Sequence, residues 1–344
     1  MEDKTIKKLK RIFIWTTAVL ILIVGLAFVA ATVPAVQTWF AHRVSDYLSH
    51  ALNTRVYVDK VRLKLFTKVE LKGLFIADQH SDTLIYAAAL ELNLNDISTK
   101  KHILDIHELK LTDGGFYLRE YHGEKGNNLD FILDYFASSD TTDTTSSAYK
   151  ITVENLSLRN ARFKYEVQDD TIQEHGLDYL HLDVHSISGD ISNIHFINDS
   201  VFGKIKNLSA KERSGFVLSA FNGDAKLSSD EMRIKDLSIK TPFSDIKTDL
   251  TFNYDSFPDW VEFNDRMRWH SDFQSSKISF TDIAYFAGEY LWGMHNSVNL
   301  TGECKGTVTR FRCKDITLQY GNQTLFKGNI ALTGLPNIEE TYFD

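Results

Sequence analysis

The sequence predicts an all-β protein with few short helices behind an N-terminal transmembrane helix. Three observations predict this. Residues 12–36 contain no charged residue. After residue 53 apolar residues recur at every second position, the period of a half-buried strand. Helical periodicity is scarce in the same region.

Charge supports a split chain. The formal net charge is −8 over 344 residues. Residues 1–11 carry Lys4, Lys7, Lys8, Lys10 and Arg11 against Glu2 and Asp3, a net +3, so the remainder carries −11. A hydrophobic content of 43% with 24% charged residues excludes disorder. Two cysteines exclude a disulfide scaffold and a zinc cluster. An acidic body without a basic face excludes nucleic acid as a partner, because phosphate neutralisation needs clustered Lys and Arg.

The run from Ile12 to Val36 would span about 37 Å as a helix at 1.5 Å per residue, more than the ~30 Å hydrocarbon core. The cations before it predict a cytoplasmic amino terminus. An apolar run this long reads as an uncleaved anchor rather than the shorter core of a signal peptide. Residues 1–36 are therefore expected to form a cytoplasmic tip and a single-pass membrane anchor. Residues 37–52 come next, with Phe40, Val44, Tyr47, Leu48, Ala51 and Leu52 at helical spacing. This is an amphipathic helix that lies on the outer leaflet, caps the body beyond it, or continues the anchor.

From residue 53 the strands succeed one another. Val56 and Val58, Leu90, Leu92 and Leu94, Leu109 and Leu111, and Leu156 and Leu158 alternate with polar neighbours. So do Phe163 and Tyr165, Leu180, Leu182 and Val184, Leu250 and Phe252, and Ile316 and Leu318. Each strand has one apolar and one polar face, as in an antiparallel sheet. Short helices are expected over residues 127–136 and 279–292. The segment 137–148 is rich in Ser, Thr and Asp and is expected to be a disordered loop between a unit at 53–136 and a second at 149–344. Weak repetition pairs HELKLTDGGFYL with ENLSLRNARFKY, and IKDLSIKTPF with CKDITLQYGN. Its anchors include Leu237 and Ile239. Such repetition suits a sheet in which each unit touches mainly its neighbours.

The order of the anchor, LNTRVYVDKVRLKLFTKVELKGLFIAD, LIYAAALELNLN, ILDIHELKLTDGGFYLRE, GNNLDFILDYF and KISFTDIAYFAGEY resembles the AsmA-like proteins. Within them it resembles the TamB (translocation and assembly module) branch in its Bacteroidota-type form. The resemblance covers nearly the whole chain and implies an elongated, curled antiparallel sheet forming an open, taco-like apolar groove. It implies a periplasmic body that conducts phospholipid acyl chains from the inner membrane toward the outer membrane. Alternatively it implies an assembly factor for outer-membrane β-barrel proteins, with a barrel partner. Family members are several times longer, so the resemblance reads the chain as a fragment or a truncated relative.

The groove also has a physical rationale. A one-faced sheet must pack on a second sheet, close into a barrel, or curl around a ligand. Its expected lining is Leu109, Leu111, Leu156, Leu158, Phe163, Tyr165, Leu180, Leu182, Val184, Leu237, Ile239, Leu250, Phe252, Ile316 and Leu318. On the order of twenty strands would extend it ~100 Å. A generic anchored β-repeat protein for structure or adhesion is the remaining reading, and Trp260 and Trp269 are its candidate aromatic platforms.

Nothing in the sequence argues for an enzyme or a cofactor. There is no Walker loop, nucleophile elbow, HExxH or dinucleotide fingerprint. His181, Asp183 and His185 share one strand face and read as a solvated surface rather than a zinc site. Asp169 and Asp170 read as a turn. A hairpin turning near Thr309 and Arg310 sets Cys304 opposite Asp315 rather than Cys313, which disfavours a disulfide.

Overall fold

The computed structural model describes residues 33–64, 67–98, 103–138, 150–260, 262–287, 291–335 and 338–344. Among these residues fifteen strands form one sheet in which spatial order matches sequence order. They are β1 (Val56–Lys64), β2 (Lys68–Ala77), β3 (Thr83–Ser98), β4 (Ile103–Glu120), β5 (Lys150–Val167), β6 (Asp183–Ile197), β7 (Ser200–Glu212), β8 (Val217–Leu227), β9 (Glu231–Lys240), β10 (Asp245–Asn253), β11 (Arg268–Ser279), β12 (Ser297–Gly306), β13 (Arg310–Tyr320), β14 (Thr324–Thr333) and β15 (Tyr342–Phe343). The first and last strands are not paired to each other, so the sheet is open. At ~4.8 Å per strand it extends about 70 Å, shorter than expected because these strands are long and fewer.

Among the described residues four α-helices accompany the sheet: α1 (Pro34–Leu52), α2 (Asp130–Ser138), α3 (Phe263–Arg266) and α4 (Phe280–Ala287). None of them is long and apolar enough to cross a membrane. This corrects the fold class, the single-pass anchor and the inner-membrane localisation expected from the sequence. Of residues 33–36, assigned there to the end of the anchor, Val33 is the N-cap of α1 and the other three form its first turn, where the missing N–H of Pro34 is no loss. The rest of the expected anchor, with Ile12, lies outside the described residues. So does most of the loop expected over 137–148.

The sheet is not wholly antiparallel. β4 and β5 are parallel, with Leu109 beside Leu156 and Leu111 beside Leu158. Parallel neighbours need a long crossover, and the segment carrying α2 supplies it. The two expected short helices form with shifted bounds, at 130–138 and 280–287.

The strands stay one-faced through a repeated irregularity. Non-glycine residues with φ of 48° to 56° interrupt β4 at Asp113, β5 at Asn160, β6 at Ser186 and Asn193, β7 at Asn207, β9 at Asp236 and β13 at Asp315. Register shifts accompany those in β5, β6, β7, β9 and β13. Asn and Asp tolerate this left-handed conformation better than other side chains. An extra residue bends the strand and reverses its alternation. In β5 the apolar set therefore runs through Leu156 and Leu158, then Ala161, Phe163 and Tyr165.

Cys304 and Cys313 lie directly opposite and form a disulfide with Cα atoms 4.0 Å apart. This corrects the expected register. Gly306 pairs with Phe311 and the Thr307 amide bonds to the Arg310 carbonyl, so the turn sits one residue earlier than expected.

A candidate apolar groove

Residues paired across neighbouring strands project to the same side, so the register identifies what each face presents. One row runs Val69, Leu92, Leu109, Leu156, Ile191, Ile205 and Gly223. It resumes beyond a β8–β9 irregularity as Ala225, Ile234, Leu250, Ser271, Cys304, Cys313 and Ile330. A second row holds Val61, Leu71, Leu90, Leu111, Leu158 and Gly189. A third holds Val56, Ile76, Ile85, Phe116, Phe163 and Val184. Along the far margin run Val201, Leu227, Met232, Phe252, Trp269, Gly306 and Phe311.

Glycine has a specific use in the first row. A Cβ on Gly223 would come within 2.5 Å of Ile234 Cγ2, so the row stays level only because that side chain is absent. The polar member of the row is internally satisfied: the Ser271 hydroxyl bonds to Thr248 Oγ1 at 2.6 Å.

These rows are apolar but not covered. Leu109, Leu111, Leu156, Leu158, Phe163, Tyr165, Leu182, Val184, Ile239, Leu250, Phe252 and Leu318 are half-buried, whereas Leu237 and Ile316 are buried. Leu180 and Leu182 precede β6 rather than lying within it. Their carbonyls accept from the Val167 and Tyr165 amides, and the Leu180 side chain is exposed. In a two-layer domain such large side chains would be buried.

Other elements cover parts of the apolar side. At the β1 end Ala41 of α1 packs on Val58 and Val61, with Val69, Leu71 and Leu74 around them. Ser45 Oγ accepts from the Val58 amide, and Ser49 Oγ accepts from the Val56 amide and donates to its carbonyl. The helix thus caps the free edge of the first strand. This is the capping arrangement, one of those open for residues 37–52. Over β10, Trp260 and Phe263 meet the Phe252 ring at centroid distances of 6.4 and 5.6 Å. At the β7–β8 turn Phe216 meets Tyr285 and Phe286 of α4. That helix is tied down by Asp282, which accepts from Thr241 Oγ1 and Ser244 Oγ.

The opposite face is polar and ion-paired. Lys110 meets Glu91 at 3.3 Å, Arg159 meets Asp190 at 2.7 Å and Arg162 meets Asp183 at 2.5 Å. The Arg162 guanidinium, against a partly opposing desolvation cost, holds the Asp183 carboxyl below the usual carboxylate range. The expected His181–Asp183–His185 face is not formed. His181 is buried outside the strand, with Nδ1 at 3.0 Å from Asp178, and His185 Nδ1 meets Ser186. Among the described residues no group of three His, Cys, Asp or Glu side chains is placed to hold a metal. Asp169 accepts from the Gly123 amide and pairs with His122, a bond between loops. Of the two candidate platforms, Trp260 packs on Tyr254 and Phe252 as part of the cover over β10, and Trp269 packs on Phe311 within the lining.

Sequence reasoning missed much of this surface. Ile191, Ile205 and Ile234 lie in strands whose alternation is broken by the left-handed residues. The signal was an Asn, Asp or Ser directly before an apolar residue, at the point where the period slips. No family model, no curated protein and no solved structure matches this chain.

Proposed function

We propose that the chain is a β-repeat structural protein with a binding rather than a catalytic role, and that its apolar face holds an extended apolar ligand. The observation that carries this reading is the set of half-buried Leu, Ile, Val and Phe rows on a sheet that, among the described residues, has no second layer. Lipid acyl chains are the ligand class that fits. A chain laid across the rows gains about 0.8 kcal/mol per CH₂ removed from water and needs no partner for a polar atom. The gain hardly changes from one strand to the next, so a ligand can occupy many registers. The resemblance to AsmA-like proteins supports the same reading. The anchored inner-membrane conduit is not part of it, because no described helix is long and apolar enough to cross a membrane.

Titration with a fluorescent fatty acid tests the proposal. Leu158→Lys and Leu250→Lys should weaken binding, while Ser157→Lys on the other face should not. Equal binding by all three variants would contradict it.

The second reading is an assembly factor for outer-membrane β-barrel proteins. It is favoured by β14, which pairs with β15 only at Leu332 and Thr333 and leaves Leu325 and Phe326 exposed. Such an edge can template an added strand. Capture of an unfolded barrel protein that is insensitive to Leu158→Lys, yet lost on placing proline in β14, would favour it.

A further inference from the structure

The polar face of β6–β9 gathers four cations around two carboxylates. Lys226 and Arg233 are direct cross-strand partners, an arrangement that like charges make unfavourable. In the adjacent row Asp224 stands between Lys204 and Lys235. Four cations here face two carboxylates. Asp224 lies 3.0 Å from Lys204. Glu231 serves both Lys226, at 3.1 Å, and Arg233, at 3.7 Å.

The same four cations line a cavity of about 330 Å³. One wall is aromatic. His195 and Phe202 are cross-strand partners with rings stacked at 5.0 Å and 8°. His195 donates from Nδ1 to the Asn193 carbonyl at 2.8 Å.

We propose that this cavity binds a phosphate group, at a site separate from the apolar face. A phosphate monoester carries about −1.5 to −2 charge at neutral pH, which matches the excess of two cations over carboxylates. Arg233 supplies a guanidinium fork suited to phosphate oxygens, and the lysines add mobile donors. The ligand relieves the repulsion between Lys226 and Arg233, so binding and stability are linked.

The test titrates the full chain at low ionic strength with glycerol phosphate, then with phosphatidylcholine vesicles with or without phosphatidic acid. Saturable binding should weaken roughly tenfold in Lys226→Gln and in Arg233→Gln. It should be unchanged in Lys277→Gln and Lys305→Gln, which remove equal charge elsewhere. Glycerol phosphate binding with this pattern assigns a free ester. The same pattern confined to phosphatidic acid vesicles assigns a lipid headgroup. Binding that falls equally in all four variants, or no binding to either probe, overturns the proposal. Lys226→Gln removes one of two opposed cations, so it should keep the wild-type unfolding midpoint.

Discussion

The backbone amide of Asp236 donates to Oδ1 of Asp249 at 2.7 Å, across the β9–β10 pair. Asp236 has φ of 50°, and the extra residue takes its amide out of the ladder. The neighbouring strand supplies the missing acceptor. The device recurs. The Asn160 amide donates to Ser188 Oγ, Asn207 to Asn222 Oδ1 and Asp315 to Asn329 Oδ1, at 2.8 to 2.9 Å. Each pair couples a reversal of side-chain alternation to one specific polar residue on the next strand.

Removing the acceptor should therefore destabilise the sheet modestly. Asn222→Ala and Asn329→Ala are each expected to cost about 1 kcal/mol, read from urea denaturation. The amides lie near solvent, so water limits the loss. An unchanged midpoint in both variants would mean that the bulges hold without their caps.

The left-handed residue itself gives a sharper contrast. Asp236→Val forces a β-branched side chain into a conformation costing about 1–2 kcal/mol, and it should lower the denaturation midpoint. Asp236→Gly keeps the conformation accessible and should be close to neutral. Equal effects of the two would remove φ as the explanation.

The disulfide staples β12 to β13 within an apolar cluster that includes Trp269, Phe273, Leu300, Phe311 and Ile330. With nine residues of separation, chain entropy places its contribution at about 2–3 kcal/mol. Reduction, or the double change Cys304→Ala with Cys313→Ala, should lower the unfolding midpoint accordingly. Identical denaturation curves with and without reductant would contradict this.

The segment between β5 and β6 is organised around Asp178. Burial alone would raise the pKa of this carboxyl. Hydrogen bonds from the Gln173 and Leu180 amides and the neighbouring His181 outweigh that cost and hold it below the usual carboxylate range. Arg213 lies 3.5 Å away. A depressed folded-state pKa stabilises the fold fully above the unfolded value near 3.9 and is lost as pH falls through the folded one. Trp292 packs on His175 of this segment, so its fluorescence should change in acid below about pH 4. Asp178→Asn should lose that transition, and an unaltered acid profile in this variant would sink the assignment.

Much of the sheet was legible in sequence because period-two alternation is a local signal. Leu109 and Leu111, or Leu156 and Leu158, declare their face without reference to any other strand. The repeated KDL and KDI segments were visible too, but their meaning is a backbone conformation at Asp236 and Asp315 that only pairing with the next strand reveals. The parallel β4–β5 junction was implied by a helix between two strands, yet antiparallel alternation reads the same on a single strand. The pairing of Cys304 with Cys313 is not legible in sequence, because one residue in turn placement changes every partner. The phosphate cavity was invisible, since Lys226 and Arg233 become neighbours only through register.

Site-specific photocrosslinking to a radiolabelled fatty acid tests the central claim most directly. With the crosslinker placed in turn at Leu109, Leu158 and Leu250 on the apolar rows, each position should label. With it at Lys110, Ser157 and Asp249, the adjacent residues on the opposite face, labelling should fall to background. Equal labelling of both sets, or labelling of the polar face alone, would contradict an apolar ligand groove.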